Sequence, residues 1–201
     1  MAAISAPLIA CTLAEPAEAA NAVATPRQTA GPFYPDEFPA DHDADLLQFM
    51  DMEAPARGEA VHVSGAVTDA AGEPVSGATI DLWQCDANGV YHHPGDREEG
   101  RDAAFQGFGR TETDAQGRYA FRTIRPVPYP GRTPHIHLRV WRDGTSVLTT
   151  QFYDADRADL NMADGLYRSM SAAERALVTV PFIENEGEPG TLMTQLDVRL
   201  A

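Results

Sequence analysis

The chain has 201 residues, of which 43% are hydrophobic and 22% charged, a composition that suits a soluble globular protein with one sizeable core. Its 30 acidic residues against 15 Lys and Arg give a formal net charge of -15, which repels nucleic-acid phosphates and anionic membrane surfaces and argues against a nucleic-acid role. With two cysteines there is neither a disulfide framework nor a thiolate zinc cluster, and no apolar run reaches the roughly 18 residues of a membrane-spanning helix, so any metal is held by nitrogen and oxygen.

Residues 1–24 are rich in alanine, lack Lys and Arg, and contain Leu8-Ile9-Ala10-Cys11, which is similar to the lipobox of bacterial lipoproteins. Residues 1–26 are read as a disordered leader or the remnant of an export or lipoprotein signal. That leaves the cytoplasm and an exported, lipid-anchored state both open. Residues 27–201 are expected to form one domain, with an N-terminal arm over 27–58.

From Glu59 onward short alternating segments are separated by turn residues. Val61, Val63 and Val67 mark a strand that breaks at Asp69-Ala70-Ala71-Gly72. A second strand over 78–84 ends at Ala87-Asn88-Gly89, just before Tyr91. Thr111 and Thr113, then Tyr119, Phe121 and Thr123, flank Asp114-Ala115-Gln116-Gly117 as a hairpin. Four prolines within 125–134 make a rigid connector, and strands follow over 135–141 and 146–153 around Arg142-Asp143-Gly144. Irregular turns are expected over 154–170, then one short helix over 171–177 started by the capping box Ser171-Ala172-Ala173-Glu174, then strands over 178–183 and 192–200. The predicted fold is all-β: an antiparallel β-sandwich of about eight strands with one short helix.

Alternation in the strand over 135–141 turns Ile136, Leu138 and Val140 towards a core and His135, His137 and Arg139 the other way. Two imidazoles two residues apart on one face converge as a pair of metal ligands does. The same pair also fits polar residues on a half-exposed strand. Tyr129, on the proline-stiffened connector, and Tyr91, after the Asn88-Gly89 turn, are phenols that can reach the same point, or else ordinary packing residues.

Three segments together carry a resemblance. Asp81-Leu82-Trp83-Gln84-Cys85-Asp86-Ala87-Asn88-Gly89-Val90-Tyr91-His92-His93, Phe105-Gln106-Gly107-Phe108-Gly109-Arg110-Thr111, and Pro128-Tyr129-Pro130 leading to His135-Ile136-His137 resemble the intradiol ring-cleavage dioxygenases, most of all the iron-binding subunit of protocatechuate 3,4-dioxygenase and its small single-chain relatives. The resemblance implies iron(III) held by Tyr91, Tyr129, His135 and His137. Dioxygen would open a catechol, such as protocatechuate, to a cis,cis-muconate. Tyr129 would be both ligand and base, Arg132 would stabilise charge on the reacting ring, and Gln151 would border the pocket. Thr29-Ala30-Gly31-Pro32-Phe33-Tyr34-Pro35 resembles a segment lying across the active-site mouth in this family, which makes Tyr34, and with it Arg110, expected substrate contacts. An oligomer is expected, of like chains or with a second kind of chain. The rival classes are a non-catalytic prealbumin-like module, suggested by 63–69 and 113–119, and a cupin-type enzyme using the histidines without the tyrosines.

Overall fold

A computed structural model describes residues 23–50 and 52–201, so the Leu8–Cys11 run and most of the expected leader lie outside the described residues. Two five-stranded sheets face each other. In the first, β1 (Ala60–Thr68) runs antiparallel to β4 (Arg118–Ile124) on one side and parallel to β9 (Leu192–Gln195) and β10 (Val198–Arg199) on the other, with β8 (Ile183–Glu184) beyond β9. β9 and β10 are one interrupted strand. At the break Leu196 N–H still donates to the Ser64 carbonyl (2.8 Å), while the Asp197 carboxylate accepts the Ala66 N–H (2.9 Å) that a backbone carbonyl would otherwise take.

The second sheet runs β3 (Phe108–Glu112), β2 (Thr79–Trp83), β5 (His135–Arg142), β6 (Thr145–Asp154), β7 (Thr179–Val180). Its inner face carries Ile80, Leu82, Ile136, Leu138, Val140 and Phe152, which pack on Val61, Val63, Val67 and Phe121 of the first sheet to form the main core. The sandwich is thus as the sequence predicts, and its finer pairing differs. Hairpin neighbours are antiparallel, but β1 with β9, β1 with β10, and β6 with β7 are parallel. Period-two patterning reports which face a residue takes and says nothing of the direction in which a sequence-distant partner runs.

The capping box begins α3 (Ala172–Val178), with Ser171 N–H donating to Glu174 Oε2 (2.7 Å) and Glu174 N–H to Ser171 Oγ (3.2 Å). Two further helices, α1 (Ala158–Ala163) and α2 (Gly165–Ser169), and a 3₁₀ turn over Ala155–Arg157 occupy the stretch expected to be irregular. Each is too short to show an amphipathic period. The turn and α2 are set instead by aspartate caps, Asp154 accepting from Asp156 N–H and Asp164 from Leu166 and Tyr167 N–H. No helix among the described residues is long and apolar enough to cross a membrane.

Candidate metal centre

Strand β5 is buried on both faces: His135 and His137 are each 2% exposed, so they are not polar residues on a half-exposed strand. The register builds the outer face of the second sheet in rows. Phe108, Trp83, His137 and Gln151 are consecutive partners across β3, β2, β5 and β6, and His135 pairs with Tyr153 in the row beside them. The N-terminal arm covers these rows. Gln28 donates to the Gln151 carbonyl (2.9 Å), Tyr153 Oη donates to Gln28 Oε1 (2.6 Å), and Gln151 Nε2 donates to the Thr29 carbonyl (2.9 Å).

Trp83 stacks on the His137 ring at 4.7 Å and 7°. His135 Nδ1 lies 2.7 Å from the Thr133 carbonyl, which makes that nitrogen the N–H donor and leaves Nε2 with a free lone pair. His135 Nε2 is 3.1 Å from His137 Nε2 and 3.4 Å from Tyr91 Oη. Two donors about 2.1 Å from a single ion and at right angles lie about 3.0 Å apart, so these are the separations of neighbouring ligands around one metal.

Tyr91 is brought in by a side-chain-directed turn. Asp86 Oδ1 accepts from Asn88 N–H (2.8 Å) and Val90 N–H (3.0 Å), Gly89 N–H donates to the Asp86 carbonyl (3.0 Å), and the turn closes with Gly89 at φ 71°. A Cβ on Gly89 would lie 3.2 Å from Tyr129 Cβ, so the absent side chain is what lets the connector approach. Phe33 of the arm stacks on Tyr91 at 4.6 Å. Tyr129 sits in a turn closed by Arg132 N–H to the Tyr129 carbonyl (2.9 Å), with its ring 5.6 Å from those of both Tyr91 and His135.

The electrostatics suit a cation. Burial, reinforced by Arg132, pushes His135 down to about 3, and burial together with the His135 ring holds His137 well below the usual imidazole range, so both are neutral donors. Burial drives the Tyr91 phenol well above its ordinary value, and burial raises Tyr129 against the opposing pull of Arg132. A phenol in such a place ionises only against a strong Lewis acid. Among the described residues no group of three or more His, Cys, Asp or Glu is placed to hold a metal, and the donors gathered here are two imidazoles and two phenols. The chemistry of this donor set fits a hard trivalent ion.

Arg132 donates from Nε to Asp164 Oδ2 (2.8 Å) and from NH2 to Gln151 Oε1 (2.5 Å), so the two residues singled out beside the ligands meet each other directly. Tyr34 and Arg110 are not brought to this cluster. Both bind the fully buried Asp81, Tyr34 through its hydroxyl (2.7 Å) and Arg110 through two bonds (2.6 and 2.9 Å), and Trp141 Nε1 adds a fourth donor at 2.6 Å. Through these bonds they pin the arm to β2 one row from His137. Sequence reasoning missed Asp164, Trp83 and Asp81 as parts of the site. For Asp81 the signal was present, since a lone carboxylate between Ile80 and Leu82 in an apolar strand calls for cationic or N–H partners.

A dioxygenase family model matches residues 29–201. The chain belongs to the intradiol ring-cleavage dioxygenases. Within that family it is 37% identical over 128 residues to the protocatechuate 3,4-dioxygenase beta chain of Burkholderia cepacia, covering 59% of this chain and 54% of that one. It is 32% identical over 187 residues to the alpha chain from the same species, covering 88% and 91%. The chain spans about half the length of several curated relatives it matches. Among solved structures it is similar to the dioxygenase domain of a dioxygenase and carbohydrate-binding protein fusion from Streptomyces sp. SirexAA-E, with a TM-score of 0.68 and 29% identity over 89% of this chain and 98% of that one.

Proposed function

We propose that this member of the family opens the ring of a catechol between its two hydroxyls with dioxygen, giving a cis,cis-muconate, at one non-haem iron(III) held by Tyr91, Tyr129, His135 and His137. One observation carries the reading: two imidazole nitrogens 3.1 Å apart and a phenol oxygen 3.4 Å from one of them converge from side chains that are each 2% exposed, with a second, half-buried phenol beside them. Two phenolates would offset most of the charge of iron(III), and that ion would supply the Lewis acidity that makes the hydroxyls of a catechol acidic.

Within that frame the side chains divide the work. Tyr91, His135 and His137 are buried and fixed by Phe33, the Thr133 carbonyl and Trp83 respectively, and they hold the ion. Tyr129 is the half-buried member and the one that reaches a cavity. Its phenolic oxygen is the atom placed to accept a proton from the incoming diol. Arg132 lines the same cavity and stabilises negative charge developing on the ring, and Gln151 holds the guanidinium in place.

The test is the visible absorption of the iron-loaded protein, in which phenolate-to-iron charge transfer gives a broad band. The band is expected in the wild type, shifted by anaerobic addition of a catechol and weakened in Tyr91→Phe. A colourless protein with full iron occupancy removes both tyrosines as ligands and ends this reading.

A further inference from the structure

The cavity beside the cluster has a volume of about 280 Å³ and is lined by Pro128, Tyr129, Arg132, Leu160, Ala163 and Asp164, with Gly131 and Thr133 completing it. That is just below the usual range for ligand pockets, room for no more than a single substituted ring. We infer that the site takes an uncharged catechol bearing an apolar ring substituent, alkyl or halogen, in preference to one bearing a carboxylate, with the substituent lying against Leu160 and Ala163. The inference rests on the catechol-cleavage reading and adds its substrate class.

Charge is the first ground. Arg132 and Asp164 are the cation and the carboxylate among the described residues lining the cavity, and they are already paired, with Arg132 giving a further donor to Gln151. Asp164 is in turn fixed by three backbone N–H groups, those of Thr133, Leu166 and Tyr167, so its charge cannot swing away. A substrate carboxylate entering here finds the Arg132 guanidinium already engaged by Asp164 and Gln151, and no second cation in the lining with which to form an ion pair of its own. The nearby guanidiniums are engaged elsewhere: Arg110 chelates Asp81, and Arg139 lies over the Tyr34 ring at 3.8 Å and donates to Thr149. The chain's net charge of -15 repels an anionic substrate at longer range as well.

Shape and polarity are the second. To the same cavity α1 contributes Leu160, 43% exposed, and Ala163. An exposed leucine gains burial when an alkyl or halogen group covers it, whereas a carboxylate against Leu160 and Ala163 gives up water and α1 offers it no cation.

Anaerobic titration calorimetry of the iron-loaded protein tests this with 4-methylcatechol, 4-chlorocatechol and protocatechuate. The two apolar-substituted diols are expected to bind at least tenfold more tightly than protocatechuate. Equal or tighter binding of protocatechuate overturns the inference and leaves catechol cleavage standing, whereas a protein that binds no diol and whose visible band none of them moves loses both. Leu160→Arg, at a surface position, is expected to tighten protocatechuate binding about tenfold at an unchanged melting temperature. An unchanged protocatechuate affinity in that variant overturns the assignment of Leu160 as the substituent wall.

Discussion

Gly89→Ala links a turn to the proposed metal centre through a quantity that can be worked from the structure. Gly89 has φ 71°, and an added Cβ would sit 3.2 Å from the Pro128 carbonyl oxygen and 3.2 Å from Tyr129 Cβ. The left-handed conformation costs an L residue about 1–2 kcal/mol. The two contacts require the connector to retreat by a few tenths of an ångström, and a total of roughly 2 kcal/mol lowers the melting temperature of a domain this size by about 4–8 °C. Gly144→Ala separates the parts: Gly144 has φ 73° but open space where the Cβ would go, so it carries the conformational cost alone. Since Asp86 holds the Gly89 turn at several points, the retreat falls on Tyr129 rather than on the turn. Thermal melts and visible spectra of both iron-loaded variants are the assay. Gly89→Ala should melt lower than Gly144→Ala and show a weakened charge-transfer band, and a Gly89→Ala protein matching Gly144→Ala in both would refute the proposed link between this turn and Tyr129.

Two further outcomes are expected. Asp81→Ala removes the acceptor of four hydrogen bonds and strands the Arg110 guanidinium and Trp141 N–H, so denaturant unfolding should show a loss of about 3 kcal/mol, with faster proteolysis within the arm that Tyr34 pins. The Glu174 carboxyl is held below its ordinary 4.5 by the Ser171 N–H. A depressed folded value means stability that is present above pH 4.5 and lost as pH falls through the folded value, so the melting temperatures of wild type and Glu174→Gln should converge on acidification, and a constant gap across that range would contradict the capping-box role.

The sandwich was legible in the sequence because each long strand announces its core face by alternation, as Ile136, Leu138 and Val140 do, and the turns carry their own chemistry in Asn88-Gly89 and Asp114-Ala115-Gln116-Gly117. Three things were not. Short helices capped by Asp154 and Asp164 leave no periodic trace. Parallel pairing of β9 and β10 with β1 joins segments that no local pattern connects. The partners of charged groups depend on register and loop path: Arg132 meets Asp164 32 residues on, and Tyr34 meets Asp81 47 residues on, so the first reads from sequence as an isolated cation and the second as a free phenol.

The same dependence explains why the histidines were ambiguous. A strand of a two-layer sandwich normally presents one face to the core and one to water, and on that rule His135 and His137 belong outside. They are buried because the arm supplies a third layer, with Gln28 and Thr29 tied to β6, Gly31 placed where an added Cβ would sit 3.7 Å from the His137 ring, and Phe33 over Tyr91. Two neutral imidazoles and two protonated phenols are donors that can be covered in this way without leaving a net charge out of water, which a carboxylate cluster could not be. On the proposed reading the choice of ligand and the presence of the arm are one design: tyrosines and histidines would tolerate closure without the metal, and closure would make the phenols depend on the metal to ionise.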